Sequence, residues 1–225
     1  MVGPPIEAFA ATFEDSANRP LVGIVLIDEP GNRPSADSLM SLSFPLTFAV
    51  DATDSGAAEA MDYYRQAGHE VAVIVPLSAG AGPDGAEAAI SGALETVPQA
   101  VAVMDIPSAE FQADRAVAGR IVEMMEASGR GFLTYARGFN SAQQIALRDN
   151  VPAALVFRDI DSDAQDQASI GRFLDQAAFR AGQADRVVLV GHSRPETIAA
   201  IVEWNLGNRA AMVALAPLSA TLLAR

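Results

Sequence analysis

The stretch Leu21-Val-Gly-Ile-Val-Leu-Ile27 is almost entirely apolar and ends abruptly in Asp28-Glu29, which Pro30-Gly31 follows. A strand that is buried on both faces of a parallel sheet has such a run of Val, Ile and Leu. Functional sites in barrels of this class lie at the carboxyl ends of the parallel strands. The stretch therefore predicts a buried parallel strand that carries two carboxylates to a functional edge.

Similar short runs of aliphatic residues recur along the chain and alternate with longer segments of helical periodicity. The predicted strands are 21–27, 46–50, 71–75, 100–104, 131–135, 153–157, 187–190 and 211–215. The predicted helices are 35–42, 57–67, 85–96, 114–128, 141–149, 164–182 and 195–205. This alternation fits either a (β/α) barrel or an open, flavodoxin-like sheet. We expect one domain over residues 21–225, preceded by an irregular lead-in over residues 1–20.

The composition excludes several classes of function. The net charge of −13 repels a phosphate backbone, so we expect no nucleic-acid partner. The chain contains no Lys, which removes Schiff-base and P-loop chemistry, and no Cys, which removes disulfides and thiolate nucleophiles. No uninterrupted apolar stretch reaches the roughly 18 residues of a transmembrane helix, so we expect no transmembrane segment.

Polar residues follow most of the predicted strands directly. They are Asp28, Glu29, Asp51, Asp105, Arg137, Asp159, Asp161 and His192. If the strands are parallel, these side chains meet at one mouth of a barrel, and they then form a polar cleft around Asp28 and His192. The alternative is that acids after strands cap helices and form turns, which is a common role for Asp. Both interpretations stay open at this level.

His192 lies at a predicted strand-to-helix junction, in Gly-His-Ser-Arg-Pro-Glu-Thr at 191–197. Its imidazole is placed either to act as a general acid or base or to hydrogen-bond a neighbouring turn. Ser193 matches the Gly-x-Ser-x-Gly nucleophile motif only in part, since Pro195 replaces the final Gly. The other histidine, His69, is expected at the opposite end of the sheet, so a serine hydrolase is not favoured.

Several segments together resemble the divergent polysaccharide deacetylase family of bacteria, and the resemblance runs from Arg19 to Ala220. The segments are Ile-Asp-Glu-Pro-Gly at 27–31, Ala-Gly-His-Glu-Val at 67–71, Arg-Asp-Ile-Asp at 158–161, Gly-His-Ser-Arg-Pro-Glu-Thr at 191–197 and Ala-Pro-Leu-Ser-Ala at 216–220. The resemblance implies an irregular (β/α) barrel of seven to eight strands and metal-dependent removal of acetyl groups from carbohydrate. It also suggests a location in the periplasm or cell envelope.

The metal ligands that the resemblance implies are only partly present. In the family, the first strand ends in two aspartates, a catalytic base and a metal ligand. Asp28 matches the base, and Glu29 replaces the ligand with a side chain one methylene longer. Ile74 and Ile106 stand where the resemblance implies two His ligands, and aliphatic side chains cannot bind the three-ligand metal of such sites. Glu29 is then a vestigial ligand and no cofactor is expected, unless Asp28, Glu29 and Asp105 converge on a divalent metal.

Three hypotheses about function follow. The principal one is a degenerate deacetylase domain that binds carbohydrate or a cell-envelope component, with Asp28 and His192 as candidate catalytic residues. Asp105, Arg137 and Asp161 are expected to line its cleft. The second is an active deacetylase or esterase, metal-dependent or metal-free, that uses Asp28 and His192. The third is a non-enzymatic envelope interaction protein that uses the fold as a scaffold.

Overall fold

The computed structural model describes residues 3–15, 17–163 and 165–224 and contains eight strands within them. The strands are β1 Leu21–Ile27, β2 Thr47–Asp51, β3 Glu70–Ile74, β4 Ala102–Met104, β5 Gly131–Thr134, β6 Ala153–Asp159, β7 Arg186–His192 and β8 Ala214–Ala216. All pairings are parallel, and the hydrogen-bonded order runs from β2 through β7 to β1, which also pairs with β2. Seven strands therefore close into a barrel. The closure confirms the predicted (β/α) barrel and rules out the open sheet.

The strand β1 is the seam of the barrel. Its whole length, Leu21–Ile27, pairs with β7 on one edge. On the other edge, residues 21–23 pair with β8 and residues 25–27 pair with β2. The eighth strand thus fills the gap beside β2 at the start of β1. This position in the centre of the pairing explains why the stretch is so apolar, since both of its faces are buried.

Helices surround the barrel in the predicted alternation. They are α1 Pro5–Ala8, α2 Ala36–Met40, α3 Ala57–Gln66, α4 Pro83–Thr96, α5 Arg115–Ser128, α6 Ser141–Asp149, α7 Gln167–Ala184, α8 Pro195–Asn205 and α9 Leu218–Leu223. The bounds of α6 and α8 match the predicted ones. The short helices α1 and α9 were not predicted. No helix in the described part of the chain is long and apolar enough to cross a membrane.

Alternate residues of β1 belong to two separate apolar layers. Val22, Ile24 and Leu26 pack in the outer layer, between the strands and the helices. Val25 belongs to the layer inside the barrel, and Ile27 packs against that layer. The interior layer also contains three alanines. Ala49, Ala72 and Ala102 lie side by side on neighbouring strands, because a closed barrel of few strands leaves little room inside.

The helix α9 closes the amino-terminal end of the barrel, and two glycines make room for it. A Cβ on Gly23 would lie 2.9 Å from Oγ1 of Thr221, and one on Gly131 would lie 2.6 Å from Cδ1 of Leu222. Ile6, in α1, joins the same interior layer as Leu222. Part of the expected lead-in therefore packs into the barrel.

A buried carboxylate fixes α9 in place. Glu70, at the start of β3, is fully buried and accepts hydrogen bonds from the backbone and hydroxyl of Ser219, from the hydroxyl of Thr47 and from the backbone of Ala11. Burial raises the pKa of Glu70 against the effect of these hydrogen bonds. Every donor is neutral, so Glu70 serves as a structural anchor at the end of the barrel remote from the predicted mouth.

Candidate functional site at the carboxyl end of the barrel

The register of the strands decides which polar residues face into the barrel mouth. His192 pairs with Ile27, whose side chain packs against the interior layer, so both are on the inner face. The strand β6 has a bulge between Val156 and Arg158, after which Asp159 pairs with the interior residue Val190. Without the extra residue, Asp159 would face outwards, since side chains alternate along a strand. The bulge therefore turns Asp159 into the mouth.

Asp28, the first residue after β1, is held by a guanidinium and a phenol. Arg33 donates from Nε to Oδ1 at 2.7 Å and from Nη2 to Oδ2 at 2.5 Å, which is a bidentate pair. Tyr64 donates from its hydroxyl to Oδ1 at 2.5 Å. The side chain of Asp28 is only 3% exposed. Both carboxylate oxygens are thus engaged within the protein, and the charge of Asp28 is compensated by Arg33.

Glu29 is paired in the same manner with a second arginine. Arg194 donates to Oε1 from Nη2 at 2.6 Å and from Nε at 3.0 Å, and Asn32 donates to Oε2 at 2.9 Å. The hydrogen bonds from Arg194 hold the pKa of Glu29 below its usual value, against a smaller effect of burial. Arg194 also donates to the backbone oxygen of Asp161 at 3.1 Å. It therefore ties the end of β1 to the loop that follows β6.

His192 and Asp161 form the second polar cluster of the mouth. Nδ1 of His192 lies 2.7 Å from Oδ1 of Asp161. Oδ2 of Asp161 accepts hydrogen bonds from the backbone N–H of His192 at 3.0 Å and from the hydroxyl of Thr197 at 2.6 Å. The hydrogen bond that His192 donates to Asp161 raises the pKa of His192, although burial opposes it. Nε2 of His192 makes no hydrogen bond to any described residue, so one ring nitrogen stays free.

The acids at the carboxyl ends of β2, β4 and β6 each accept backbone hydrogen bonds from the turn that follows. Asp51 accepts from the backbone of Thr53, and Asp159 accepts from the backbone of Asp161 at 3.0 Å. Asp105 is fully buried, and its two oxygens accept from Ile106, Phe111 and the hydroxyl of Thr134. Burial raises the pKa of Asp105 to about 6. These three acids thus stabilise the turns that follow them, and Asp105 presents no surface to a cleft.

Arg137 lies on the rim, in the loop after β5. Its Nη1 donates to Oε1 of Glu110 at 3.0 Å and to the backbone oxygen of Ser108 at 2.8 Å. Nearly half of the side chain, 47%, is exposed. The neighbouring Tyr135 packs its ring against the interior layer, and its hydroxyl is buried without a hydrogen-bond partner among the described residues. Burial, followed by the charges of Asp159 and Asp105, raises the pKa of Tyr135.

The two remaining candidates of the sequence have structural roles. His69 is buried and accepts a hydrogen bond from the backbone of Leu46 at Nδ1, while Nε2 contacts the backbone oxygen of Leu39. Ser193 is fully buried, and its hydroxyl accepts a hydrogen bond from the backbone of Glu29 at 2.9 Å. A nucleophile must reach its substrate, so the buried hydroxyl of Ser193 is poorly placed to act as one.

The donors at the end of β1 decide whether the metal that the fold implies could bind there. Asp28 and Glu29 are already engaged by guanidinium groups. Ile74 belongs to the apolar layer inside the barrel, and Ile106 packs against it. Asp28, Glu29 and Asp105 do not converge, because the described residues contain a single group of three metal-capable side chains that approach one another, and it is elsewhere. These residues do not fit a catalytic divalent metal.

That single group consists of Asp159, Asp161 and His192, whose ligand atoms lie within 4.8 Å of one another. Such a set of two carboxylates and an imidazole can bind a metal ion. In the structure, however, Nδ1 of His192 and both oxygens of Asp161 are engaged in hydrogen bonds. A metal there would have to displace some of these bonds.

Arg33 and Tyr64 are the site residues that the sequence analysis missed. Arg33 follows Asp28 by five residues, across the turn at Pro30–Asn32. A basic residue shortly after an acidic pair and a Pro-Gly turn is a usable signal of an ion pair. Tyr64 is 36 residues from Asp28 and lies on α3, so no local pattern reveals that contact.

Comparisons with known proteins agree with this architecture. A crystal structure of an uncharacterized protein from Agrobacterium tumefaciens C58 has a TM-score of 0.77 and 22% identity, covering 98% of this chain and 97% of that one. A putative cellobiose-phosphate cleavage protein from Enterococcus faecalis V583 has a TM-score of 0.60 and 11% identity, covering 91% of this chain and 100% of that one.

The catalytic domain of a peptidoglycan N-acetylglucosamine deacetylase from Eubacterium rectale has a TM-score of 0.49 and 12% identity, covering 92% of this chain and 91% of that one. No protein of curated function matches the sequence. The model of the family described as divergent polysaccharide deacetylase matches residues 25–222. The chain therefore belongs to the divergent polysaccharide deacetylase family.

Proposed function

We propose that this protein is a carbohydrate-binding member of its family that works without a divalent metal at the end of β1. One observation carries the proposal. The two carboxylates that follow β1, Asp28 and Glu29, are each neutralised by a bidentate arginine of the same chain. A guanidinium already supplies the positive charge that a metal would supply, and it has no open coordination position for a water.

The apolar residues at the ends of β3 and β4 support the same proposal. Ile74 is 6% exposed and is part of the barrel interior, and Ile106 packs against that interior. A metal between these strands and Asp28 would lie against side chains with no lone pair to donate. Its loss of hydration would then be poorly compensated.

The binding cleft in this proposal is the mouth around β5, β6 and β7. Its accessible members are His192, Asp159 and Arg137, which keep free hydrogen-bond donors or acceptors. Asp161 is buried, and it takes part by orienting the imidazole of His192. Sugars present many hydroxyl groups, so a ring of charged donors and acceptors suits them. Asp105 does not belong to this binding cleft, because it is fully buried.

A second candidate function, metal-free hydrolysis of an acetyl ester or amide, is favoured by the pair of His192 and Asp161. The 2.7 Å contact orients the imidazole and leaves Nε2 open towards a substrate. In such a reaction a water molecule would attack the acetyl carbon, and His192, with its raised pKa, would donate its Nε2 proton to the leaving oxygen or nitrogen. The proton that the water loses would return to Nε2 of His192. Asp28 is a poor partner for this reaction, because it is 3% exposed and bound to Arg33.

The test combines calorimetry with an activity assay. Wild-type protein is titrated with an acetylated chitooligosaccharide and, separately, with zinc, and acetate release is followed with and without chelator. The proposal predicts oligosaccharide binding that chelator leaves unchanged. One-to-one tight zinc binding with acetate release, both abolished by Asp28→Ala, would overturn it.

The second candidate has its own readout in the same assay. Hydrolysis of an acetyl ester that survives chelator but is lost in His192→Ala would establish the metal-free reaction. His69→Gln is a poor control because His69 holds two backbone groups in the core. Arg180→Gln, on the exposed surface of α7, serves instead.

A further inference from the structure

A cleft of about 560 Å³ lies on the rim of the barrel mouth, between the segment before α5 and the loop after β5. Arg115 at the start of α5, Arg137 in the loop and Arg148 at the end of α6 line it. Gln112, Phe139 and Ser141 also line it. We call the set Arg115, Arg137, Phe139 and Arg148 the arginine cleft.

The arginine cleft stands out electrostatically in an acidic protein. The chain has 28 acidic residues against 15 basic ones, yet three arginines and no carboxylate line this cleft. The cleft between α7 and α8 shows the ordinary pattern, with Asp166, Asp175 and Glu203 against Arg172. A concave surface lined by a single sign of charge attracts ligands of the opposite sign.

The donors of the arginine cleft are only partly used within the protein. Arg115 is exposed and makes no hydrogen bond or ion pair with any described residue. Arg137 uses Nη1 on Glu110 and Ser108, which leaves Nε and Nη2 available among the described groups. Arg148 is paired with the adjacent Asp149, so it contributes less. Two guanidinium groups thus have free donors, which suit an anionic ligand.

An aromatic ring and a helix start complete the recognition chemistry. Phe139 is 90% exposed, which is unusual for a side chain that gains so much from burial. A pyranose ring has an apolar face of C–H groups that such a ring can cover. Ser141 begins α6, whose first-turn N–H groups receive no cap from the side chain of Asn140. The start of the helix adds partial positive charge to the cleft.

We propose that the arginine cleft binds the anionic group, carboxylate or phosphate, of an acidic sugar residue whose ring lies on Phe139. This inference rests on the proposed carbohydrate-binding function and names the substrate class for it. Arg137 follows β5 and His192 ends β7, so both lie towards the carboxyl end of the barrel.

The test compares oligosaccharides of equal length by calorimetry: a neutral one, one with uronic acid units and one with phosphate groups. Wild-type protein should bind at least one acidic oligosaccharide about tenfold more tightly than the neutral one, as expected for one charge-assisted hydrogen bond. The preference should shrink in 0.5 M salt, roughly where the screening length falls below 5 Å. The better of the two acidic ligands identifies the anionic group.

Single substitutions test which residues produce the preference for the acidic oligosaccharide. Arg115→Gln should remove most of the preference for the acidic ligand, so that its affinity falls towards that of the neutral one. Arg180→Gln is the matched control, since it removes one exposed arginine on α7, and it should retain the preference. Phe139→Ala should weaken binding of both ligand types.

The outcomes separate this inference from the proposed function. If the protein binds the neutral and acidic ligands equally well, the inference fails while the proposed function stands. The inference fails in the same way if Arg115→Gln and Arg137→Gln combined leave the preference intact. If no oligosaccharide binds, the proposed function fails and the inference fails with it.

Discussion

The two polar clusters at the barrel mouth use the same kind of carboxylate but give it different partners. At the end of β1, Asp28 and Glu29 are paired with arginines, whose charge is fixed at every physiological pH. At the ends of β6 and β7, Asp161 is paired with His192, whose charge changes near neutral pH. The first cluster is therefore built to hold the structure, and the second is able to exchange protons.

The largest expected effect is a loss of stability when Asp28, after β1, loses its arginine partner. Arg33→Ala leaves the charge of Asp28 almost buried and unpaired, so we expect a loss of about 3 kcal/mol in the free energy of unfolding, the low end for a buried pair. Arg33 itself is 25% exposed, which is why the low end applies. Urea denaturation measures the loss.

A surface pair and a double variant serve as controls for that prediction. Arg120 contacts Glu87 and Glu123 on the surface, so Arg120→Ala should change the free energy of unfolding far less. Asp28→Asn combined with Arg33→Gln should recover part of the loss, because no unpaired charge remains. Equal losses for Arg33→Ala and Arg120→Ala would show that Arg33 does not neutralise a buried charge.

The second effect is on the titration of His192. Asp161→Asn removes the hydrogen bond that raises the pKa of His192, so that pKa should fall. Asp159→Asn removes only a weaker charge effect and should lower it less. The two histidines of the chain can be followed together by NMR, and His69 supplies an internal reference that neither variant contacts. If the pKa of His192 is the same in Asp161→Asn as in the wild-type protein, the observed pair is contradicted.

The same pair predicts a pH dependence of stability with a definite sign. The pKa of His192 is raised on folding, so its contribution is complete below its unfolded value of about 6.5 and is lost as the pH rises through the folded value. Burial opposes the lowering of the pKa of Asp161, but the hydrogen bonds from His192 and Thr197 outweigh it. The contribution of Asp161 is therefore lost as the pH falls through its folded value.

The difference in stability between wild-type protein and His192→Gln should thus be greatest between about pH 4 and pH 6.5, the unfolded values of the two groups. Denaturation midpoints across this range measure it. A difference that grows steadily from pH 6.5 to pH 9 would reverse the predicted sign.

The smallest expected effect concerns the hydroxyl that joins the two clusters. Ser193, directly after β7, accepts a hydrogen bond from the backbone of Glu29 after β1. Ser193→Ala leaves that N–H without its acceptor, so we expect a loss of about 1 kcal/mol. Denaturation measures the loss, and Ser193→Thr tests whether an oxygen alone restores it. No loss in Ser193→Ala would mean that water replaces the hydroxyl freely.

Much of the barrel could be predicted from the sequence because buried parallel strands have an unmistakable composition. The run Leu21–Ile27 has the predicted bounds, since both of its faces meet apolar layers. The helix α9 was missed because its six residues, Leu218–Leu223, are too few to show a helical periodicity. Its place is set by the room beside Gly23, a contact that spans almost the whole chain.

The site was predictable in its location but not in its partners. The acids after β1 and His192 at the end of β7 reach the mouth because parallel strands all end there. The orientation of Asp159 depends on a bulge before Arg158, which has no local sequence signature. The neutralisation of Asp28 depends on Arg33 and on Tyr64 of a distant helix, and side-chain pairing of this kind is decided by tertiary packing.

An anomalous diffraction map from a crystal soaked in zinc tests the central claim most directly. The claim is that arginines of the chain, not a metal, neutralise the carboxylates after β1. It predicts no anomalous peak between Asp28 and Glu29, with Arg33 and Arg194 still bound to them. A zinc peak bonded to oxygens of both carboxylates, with the guanidinium of Arg33 displaced, would contradict it.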